Sequence, residues 1–381
     1  MIVYILMLLI SILFIYISQK QTKKWAKILC YIMAAMPFFI VSAFRYDVGT
    51  DYLYRYTNDY NRMLKGANVS NLEILFKAIM YFCMIFTTKP YMMFFITSAL
   101  IVGLIMGTIF KQSKNKILSV CIFFLGGFFF DSLNIMRQYL AMSIVFFAYQ
   151  FLLKDKKWYL LYTLLVIIAT LIHSSAIMML VAILLTRKML VSWKWVIPIS
   201  ILILILNENL IKVLELILQN TRFNVYLTGK YAKGDISFLF IAENLIIYIA
   251  MYYLYSKNKK LGNIQTQDIL FLNIQALALI LMVSGSCHML FIRIALYFSI
   301  FQVISVPYYI NKMPTKEIAE DIKKVTKNKI KIEKIVPKMK KIVTIVVILC
   351  FSFAFLRTNI MNNTNEVLPY RTIFNTKIKI N

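Results

Sequence analysis

The chain has 381 residues, of which 61% are hydrophobic, and carries a net charge of +27. Apolar runs recur from end to end at a mean hydropathy of +0.73, which excludes a soluble globular domain and predicts an all-α polytopic membrane protein. Nucleic acid is not implied by the charge, because the lysines sit in short clusters between apolar runs, as cytoplasmic loops facing anionic headgroups do. Five scattered cysteines without CxxC spacing and two histidines disfavour a disulfide scaffold or a Cys/His metal centre. No cofactor and no metal are expected.

The first apolar run, 2–18, has no basic segment ahead of it and no small-residue cleavage site, so it reads as a retained span. Lys20, Lys23, Lys24 and Lys27 follow, a cytoplasmic loop by the positive-inside rule. A second span over 27–44 delivers Arg45 to the outer face. There, residues 45–72 form an external loop in which Arg45, Asp47, Asp51, Arg55, Asp59, Arg62 and Lys65 nearly cancel. The loop is rich in tyrosine, with Tyr46, Tyr52, Tyr54, Tyr56 and Tyr60. The next run, Leu72 to Phe86, is short, begins beside Glu73 and is cut off by Thr87-Thr88-Lys89-Pro90. If it crossed, every later lysine loop would lie outside, so it is predicted to be re-entrant or interfacial.

Spans 3 (91–110) and 4 (117–130) flank Lys111, Lys114 and Lys116 on the inside. Asp131 and Ser132 are helix N-cap residue types, so a fifth span is predicted to start there and run to about 153. It would carry Asn134, Arg137, Gln138 and Ala141 on one stripe. Spans 6 (158–172) and 7 (174–186) meet outside at His173-Ser174-Ser175. Span 8 (193–206) opens a second external loop, 207–236, with an amphipathic helix over 208–219. Spans 9 (237–255) and 10 (267–285) follow, and span 11 (289–311) carries Arg293 and Tyr297, one turn apart, beyond Cys287-His288. Residues 312–341 hold eleven lysines against four acidic residues, and an amphipathic or disordered segment on anionic lipid is expected there. Span 12 (342–356) leads to a tail containing Pro369-Tyr370-Arg371.

Twelve spans with both termini outside, plus the re-entrant helix, put every lysine cluster in the cytoplasm. The same threading gathers Arg45, Asp51, Asn134, Arg137, His173, His288, Arg293 and Tyr370 on one external side. The lysines alone set the orientation, so this gathering is a separate outcome, and it predicts an outward-facing polar chamber in a single integral membrane domain, 1–381.

An arginine inside a membrane-length helix costs from about 2.5 to above 10 kcal/mol and is usually kept for a partner or an anion. Three arginines at the outer ends of spans 2, 5 and 11 suit a diphosphate, which guanidinium grips bidentately. Tyrosines and Asn/Gln around them suit sugars. No DxD-like carboxylate pair marks a nucleotide-sugar metal site, which points to a lipid-linked donor. Each residue also has a plainer role open to it. Asp51 is a salt-bridge partner of a chamber arginine or a general base; His173 caps a helix or takes part in chemistry. His288 is interfacial or touches substrate, and Glu73 anchors the re-entrant helix or touches substrate.

Arg45-Tyr-Asp-Val-Gly-Thr-Asp51-Tyr-Leu-Tyr54 resembles the R…GTDY..Y signature near the start of EpsG-family proteins. Asn134-Ile-Met-Arg137-Gln138-Tyr-Leu-Ala141 resembles their NxxRQxxA element. His173-Ser174, Arg293…Tyr297 and Pro369-Tyr370 follow in the family's order, so the resemblance covers nearly the whole sequence. That family is similar to Wzy-type polymerases of exopolysaccharides and capsules. The resemblance implies a GT-C-like glycosyltransferase in the cell membrane, its active site facing outside, joining oligosaccharide repeat units carried on undecaprenyl diphosphate.

On this resemblance Arg45, Arg137 and Arg293 hold the lipid diphosphates, and Asp51 and His173 orient or deprotonate the acceptor hydroxyl. Tyr52, Tyr54, Asn134, Gln138, Tyr297 and Tyr370 are the substrate-binding candidates. The implied partners are undecaprenyl-diphosphate-linked oligosaccharide as donor and acceptor, the lipid bilayer, and a chain-length regulator and flippase of the same pathway, without nucleic acid. Two rival functions are a lipid-linked oligosaccharide flippase, which needs charges near the midplane and access from both sides, and a membrane O-acyltransferase with His173 as base. A scaffold in a polysaccharide synthase complex is the third.

Overall fold

A computed structural model describes residues 1–70, 72–190, 192–218, 238–325 and 336–374. Among the described residues the protein is helical, with no strand and one isolated backbone bridge, Arg45 to Thr372. Most of the predicted external loop 207–236 and residues 326–335 of the lysine-rich segment lie outside the described residues. Among the described residues, six helices are long and apolar enough to cross a membrane, or up to nine if each of three bent helix pairs is one span. The protein divides into two compact units, Met1–Ile177 with Val346–Asn381, and Met178–Ile345.

In the first unit, α1 (Ile2–Lys20) shows why the outside is lipid-like. Its buried residues, Tyr4, Met7, Ser11, Ile15 and Ser18, recur at helical spacing, while Ile2, Leu6, Leu9 and Leu13 are exposed and equally apolar. A helix apolar on its open face needs a hydrocarbon solvent, and 19 residues reach about 28 Å at 1.5 Å each, close to a bilayer core. The buried face of α1 lies on α2 (Lys24–Ala43). From α2 the backbone enters a loop and a π-helical turn, Tyr52–Thr57, that runs into α3 (Asn58–Leu64). Next comes α4 (Ile74–Phe86), 13 residues or about 20 Å, too short to span. It buries Phe76, Met80 and Cys83 but exposes Ile74, Tyr81, Phe82, Ile85 and Phe86, the distribution of a helix lodged in apolar surroundings.

The next elements are α5 (Tyr91–Gln112), α6 (Lys116–Leu125), α7 (Phe128–Asn134), α8 (Met136–Ala148) and α9 (Tyr159–Ile172). Packing runs α1 on α2, α2 on α5, α5 on α8 and α8 on α9, with α4 against α9 and α5. The central helix α8 is buried on nearly every side.

The predicted helix start at Asp131 is corrected. Gly126-Gly127 ends α6, and Gly127 takes a left-handed φ of +79° that favours glycine, so α7 opens at Phe128 after a 49° bend. Asp131 is therefore mid-helix, where its carboxylate accepts from Asn365 Nδ2 at 3.0 Å. A second break at Ile135 (φ −86°, ψ 51°) separates α7 from α8. Asn134 closes one helix and Arg137 opens the next, so the two do not share one unbroken stripe.

Residues Ser174–Thr186 form a 3-10 helix, which reaches further per residue than an α-helix of the same 13 residues. The second unit contains α10 (Trp193–Ile205) and α11 (Asn207–Leu218), bent by 85°; the latter matches the amphipathic helix predicted over 208–219. It continues with α12 (Phe238–Lys260), α13 (Thr266–Ser284), α14 (Met289–Ser299), α15 (Gln302–Asn311) and α16 (Thr315–Val325). The last helix, α17 (Met339–Phe355), ends in a π-helical turn, Leu356–Met361.

The second unit is centred on α13, which packs against α10, α12 and α14. Three buried amides tie its helices together. Gln275 Nε2 donates to Asn244 Oδ1 at 3.2 Å, and Gln302 Nε2 donates to Asn244 Oδ1 at 2.9 Å and to Gln275 Oε1 at 3.2 Å. Gln302 opens α15 just past the 44° bend between α14 and α15, so the network fixes the bend. In an apolar medium a lost amide partner has no water to replace it. Gln275→Leu is expected to destabilise the protein by about 1–3 kcal/mol. A lowered unfolding midpoint in detergent checks it, and an unchanged midpoint would show the network to be dispensable.

Candidate functional site

In the first unit three helix ends meet at one carboxylate. Glu73 occupies the N-cap position of α4, Arg137 lies in the first turn of α8, and His173 follows the last turn of α9, its N–H donating to the Ala169 carbonyl at 2.9 Å. Arg137 Nη1 donates to Glu73 Oε2 at 2.8 Å, and His173 Nδ1 lies 3.3 Å from Glu73 Oε1. The Ser174 N–H donates to the same Oε1 at 3.3 Å. All three side chains are largely enclosed, with exposures of 6%, 14% and 16% for Arg137, Glu73 and His173. The Phe76 ring lies 5.9 Å from the Arg137 guanidinium carbon, an apolar wall beside the pair.

Burial by itself would raise the carboxyl of Glu73. The His173 hydrogen bond and the Arg137 charge outweigh it and hold that carboxyl down at about 2, below the ordinary 4.5. Glu73 is therefore an anion through the physiological range. Around Arg137 stand further polar groups of the 45–72 segment. Tyr56 Oη accepts from the Arg137 N–H at 3.3 Å, and burial pushes the Tyr56 hydroxyl up against the opposing pull of Arg137. The Asp59 carboxyl is also raised by burial, with Arg55, Arg137 and Arg62 pulling it back.

Arg45 is placed differently. It is 1% exposed, and its guanidinium donates to the backbone carbonyl of Ser42 and, at 3.2 Å, to that of Leu133. The Phe94 and Tyr52 rings lie 5.0 and 5.8 Å from its carbon. Burial lowers its pKa, and the surrounding tyrosine hydroxyls oppose the shift. Backbone carbonyls and rings meet this cation in part: its Nε is buried with no hydrogen-bond partner, and no carboxylate pairs with it among the described residues.

Beside it, Asn134 works as a clamp. Its Oδ1 accepts from the Thr50 N–H at 2.7 Å, and its Nδ2 donates to Asn365 Oδ1 at 2.6 Å. Gly49 passes so close, at φ +99°, that a Cβ there would stand 2.5 Å from Asn134 Oδ1. The C-terminal segment closes over this loop. The Tyr46 N–H donates to the Arg371 carbonyl at 3.0 Å, the Gly49 N–H to the Glu366 carbonyl at 3.1 Å, and Arg371 pairs with Asp47 at 2.6 Å.

The remaining sequence-derived candidates are spread out. Asp51 is half-buried, and its carboxylate makes no ion pair with an arginine among the described residues. Tyr52 is buried and stacks on Phe94 at 4.2 Å, whereas Tyr54 is 86% exposed. Gln138 is buried in α8, its Nε2 3.7 Å from Met142 Sδ. Tyr370 is anchored by its hydroxyl to the Val41 carbonyl at 3.0 Å. Arg293 and Tyr297 belong to α14 of the second unit, the former half-buried and the latter buried. His288 caps that helix, its Nδ1 accepting from the Leu290 N–H at 3.1 Å.

The residue that sequence reasoning undervalued is Glu73. An acid just ahead of an apolar helix looks like an ordinary cap, and its partners lie 64 and 100 positions away. The usable signal was the rule that a charge among apolar residues needs a partner.

The model of the EpsG family matches residues 27–320, which takes in Arg45, Glu73, Arg137, His173 and Arg293. The chain belongs to the EpsG family. No curated protein and no solved structure matches it. EpsG membership and the span-length apolar helices make this a membrane protein of exopolysaccharide biosynthesis.

The pH dependence of stability follows from Glu73. A carboxyl held down in the folded state contributes stability above its unfolded value of about 4.5, and that contribution is lost as pH falls toward about 2. The unfolding midpoint is expected to fall across this window in the wild type. Glu73→Gln should lower the midpoint at neutral pH and flatten the slope between these limits. An identical slope in both proteins would count against the ion pair.

Proposed function

We propose that this EpsG-family protein is a repeat-unit polymerase of the Wzy type. It would join oligosaccharides carried on undecaprenyl diphosphate at the outer face of the plasma membrane. A sugar hydroxyl of one lipid-linked unit attacks the anomeric carbon at the reducing end of the growing glycan. The new oxygen–carbon bond forms, the bond from that carbon to the diphosphate oxygen breaks, and undecaprenyl diphosphate leaves with the electron pair while a base takes the hydroxyl proton. Twelve crossings and a GT-C-like arrangement accompany this reading, as do a flippase and a chain-length regulator of the same pathway as partners.

The observation that carries it is the meeting of Arg137 and His173, a permanent cation and a proton acceptor, at the first turn of α8. Charge on a departing diphosphate is what a guanidinium near a helix N-terminus stabilises, and losing one donor to such developing charge costs about 2.7–4 kcal/mol in an oxyanion hole. In this reading Arg137 and Arg293 contact the diphosphates, and His173 or the Asp51 carboxylate receives the acceptor proton. Tyr54 and Tyr297 contact sugar. Arg45, Tyr52, Asn134, Gln138 and Tyr370 hold the surrounding wall and loop.

Purified protein given a defined lipid-linked repeat unit is expected to yield a ladder of lengthened glycans. Arg137→Ala and Arg137→Lys should each abolish the ladder while the protein still inserts and single repeat units persist. Normal polymer from Arg137→Ala would overturn the assignment. Translocation without lengthening would identify a flippase, and added acyl mass an acyltransferase.

A further inference from the structure

We propose that Glu73 is a positioning residue for the joining reaction, one carboxylate that fixes the proton acceptor and the diphosphate contact together. The proposal rests on the polymerase reading for its chemistry and on the geometry at Glu73 for its placement.

An ionised carboxylate can only accept hydrogen bonds. The contact between His173 Nδ1 and Glu73 Oε1 at 3.3 Å therefore puts the imidazole proton on Nδ1, which leaves the lone pair of the neutral ring on Nε2. The Ser174 N–H on the same oxygen, and Arg137 Nη1 on the other at 2.8 Å, hold the carboxylate plane from both sides. Glu73 is itself held, because its backbone carbonyl accepts from the Lys77 N–H at 3.0 Å in the first turn of α4. The far end of α4 is pinned where Tyr60 Oη donates to the Thr87 carbonyl at 2.8 Å.

In the reaction the acceptor hydroxyl gives its proton to His173 Nε2 as its oxygen bonds to the anomeric carbon. The carbon–oxygen bond to the diphosphate breaks, and the diphosphate keeps that electron pair beside Arg137. The imidazolium so formed sits against Glu73, which stabilises it as a carboxylate does in other His–carboxylate pairs. The charge that acts on Glu73 besides His173 is Arg137, and Arg137 in turn acts on Tyr56 and Asp59, which also feel Arg55.

The tautomer can be read without turnover, since the protein has only two histidines. In His288 the Nδ1 accepts from a backbone N–H, so its proton belongs on Nε2. Nitrogen-15 spectra of histidine-labelled full-length protein in detergent, at a pH where both rings are neutral, are expected to show one ring of each kind. Glu73→Gln should shift only the Nδ1–H ring. Two Nε2–H rings in the wild type would overturn the proposal whatever the protein's activity.

On lipid-linked repeat units, Glu73→Gln is expected to slow elongation about 100-fold or more, in the range of a disabled general base. The acid limb of its rate profile should move to lower pH, because the imidazolium loses its neighbouring anion. Glu73→Asp should regain part of the rate. In a His173→Ala background, Glu73→Gln should cost much less than in the wild type, what remains being the loss that acts through Arg137. An unmoved acid limb, with multiplying losses in the double variant, would reduce Glu73 to a structural brace and overturn the proposal. A wild-type protein that makes no ladder but shows the two tautomers would sink the polymerase reading and leave the placement of Glu73 standing.

Discussion

The first unit depends on one ion pair that has almost no water to fall back on. Glu73 and Arg137 come from helices that begin in apolar surroundings, and each would be prohibitively costly there alone. Together they are tolerable because the remaining lone pairs of the carboxylate are met by His173 and the Ser174 N–H. Removing one partner from such a pair costs about 3–5 kcal/mol, because the other is left charged and buried. This fixes where α4 must start, where α8 must start and where α9 must stop. The brevity of α4 follows: its first residue is tied to the site and its last turn is pinned at Thr87, so it has no slack to reach across a bilayer.

Two arginines solve the same problem in different ways. Arg45 spreads its charge over backbone carbonyls and the rings of Phe94 and Tyr52, an arrangement that holds the 45–52 loop against the α7–α8 break. Arg137, two residues past that break, is matched by the full negative charge of Glu73. Both cations are thus held away from bulk water, one by dipoles and rings and the other by a carboxylate. The clamp at Asn134 joins the two environments, since it holds Thr50 on one side and Asn365 on the other.

Much of the helical frame was legible, and the reason is visible in α1. Buried positions 4, 7, 11, 15 and 18 follow the helical period, and lipid on the open face leaves that pattern as an uninterrupted apolar run. The brevity of α4 was legible too, from an apolar run bounded by Glu73 and by Thr87-Thr88-Lys89-Pro90. What failed was the start of the helix bearing Arg137. Asp131 and Ser132 look like caps, but Gly127 provides a left-handed turn four residues earlier and Ile135 breaks the helix without any capping side-chain bond. Cap chemistry is a local preference, and here backbone geometry set by glycine and by tertiary packing prevailed. The partners of Glu73 were illegible for another reason: pairing between residues 64 and 100 positions apart leaves no periodic trace.

A polar site in such a frame has few places to be built. Along the body of a membrane helix every backbone N–H is already bonded within the helix, so only the ends offer donors that a ligand or an ion can use. The break at Ile135 between α7 and α8 creates an extra N-terminus, and Arg137 is placed in its first turn. The start of the 3-10 helix at Ser174 supplies another exposed N–H, already spent on Glu73. In the first unit the break before α8, the start of α4 and the stop of α9 bring three helix ends, two of them positive N-terminal ends, to a single buried carboxylate. A protein made only of full-length, unbroken spans would carry the same residues with nowhere inside the apolar layer to assemble them.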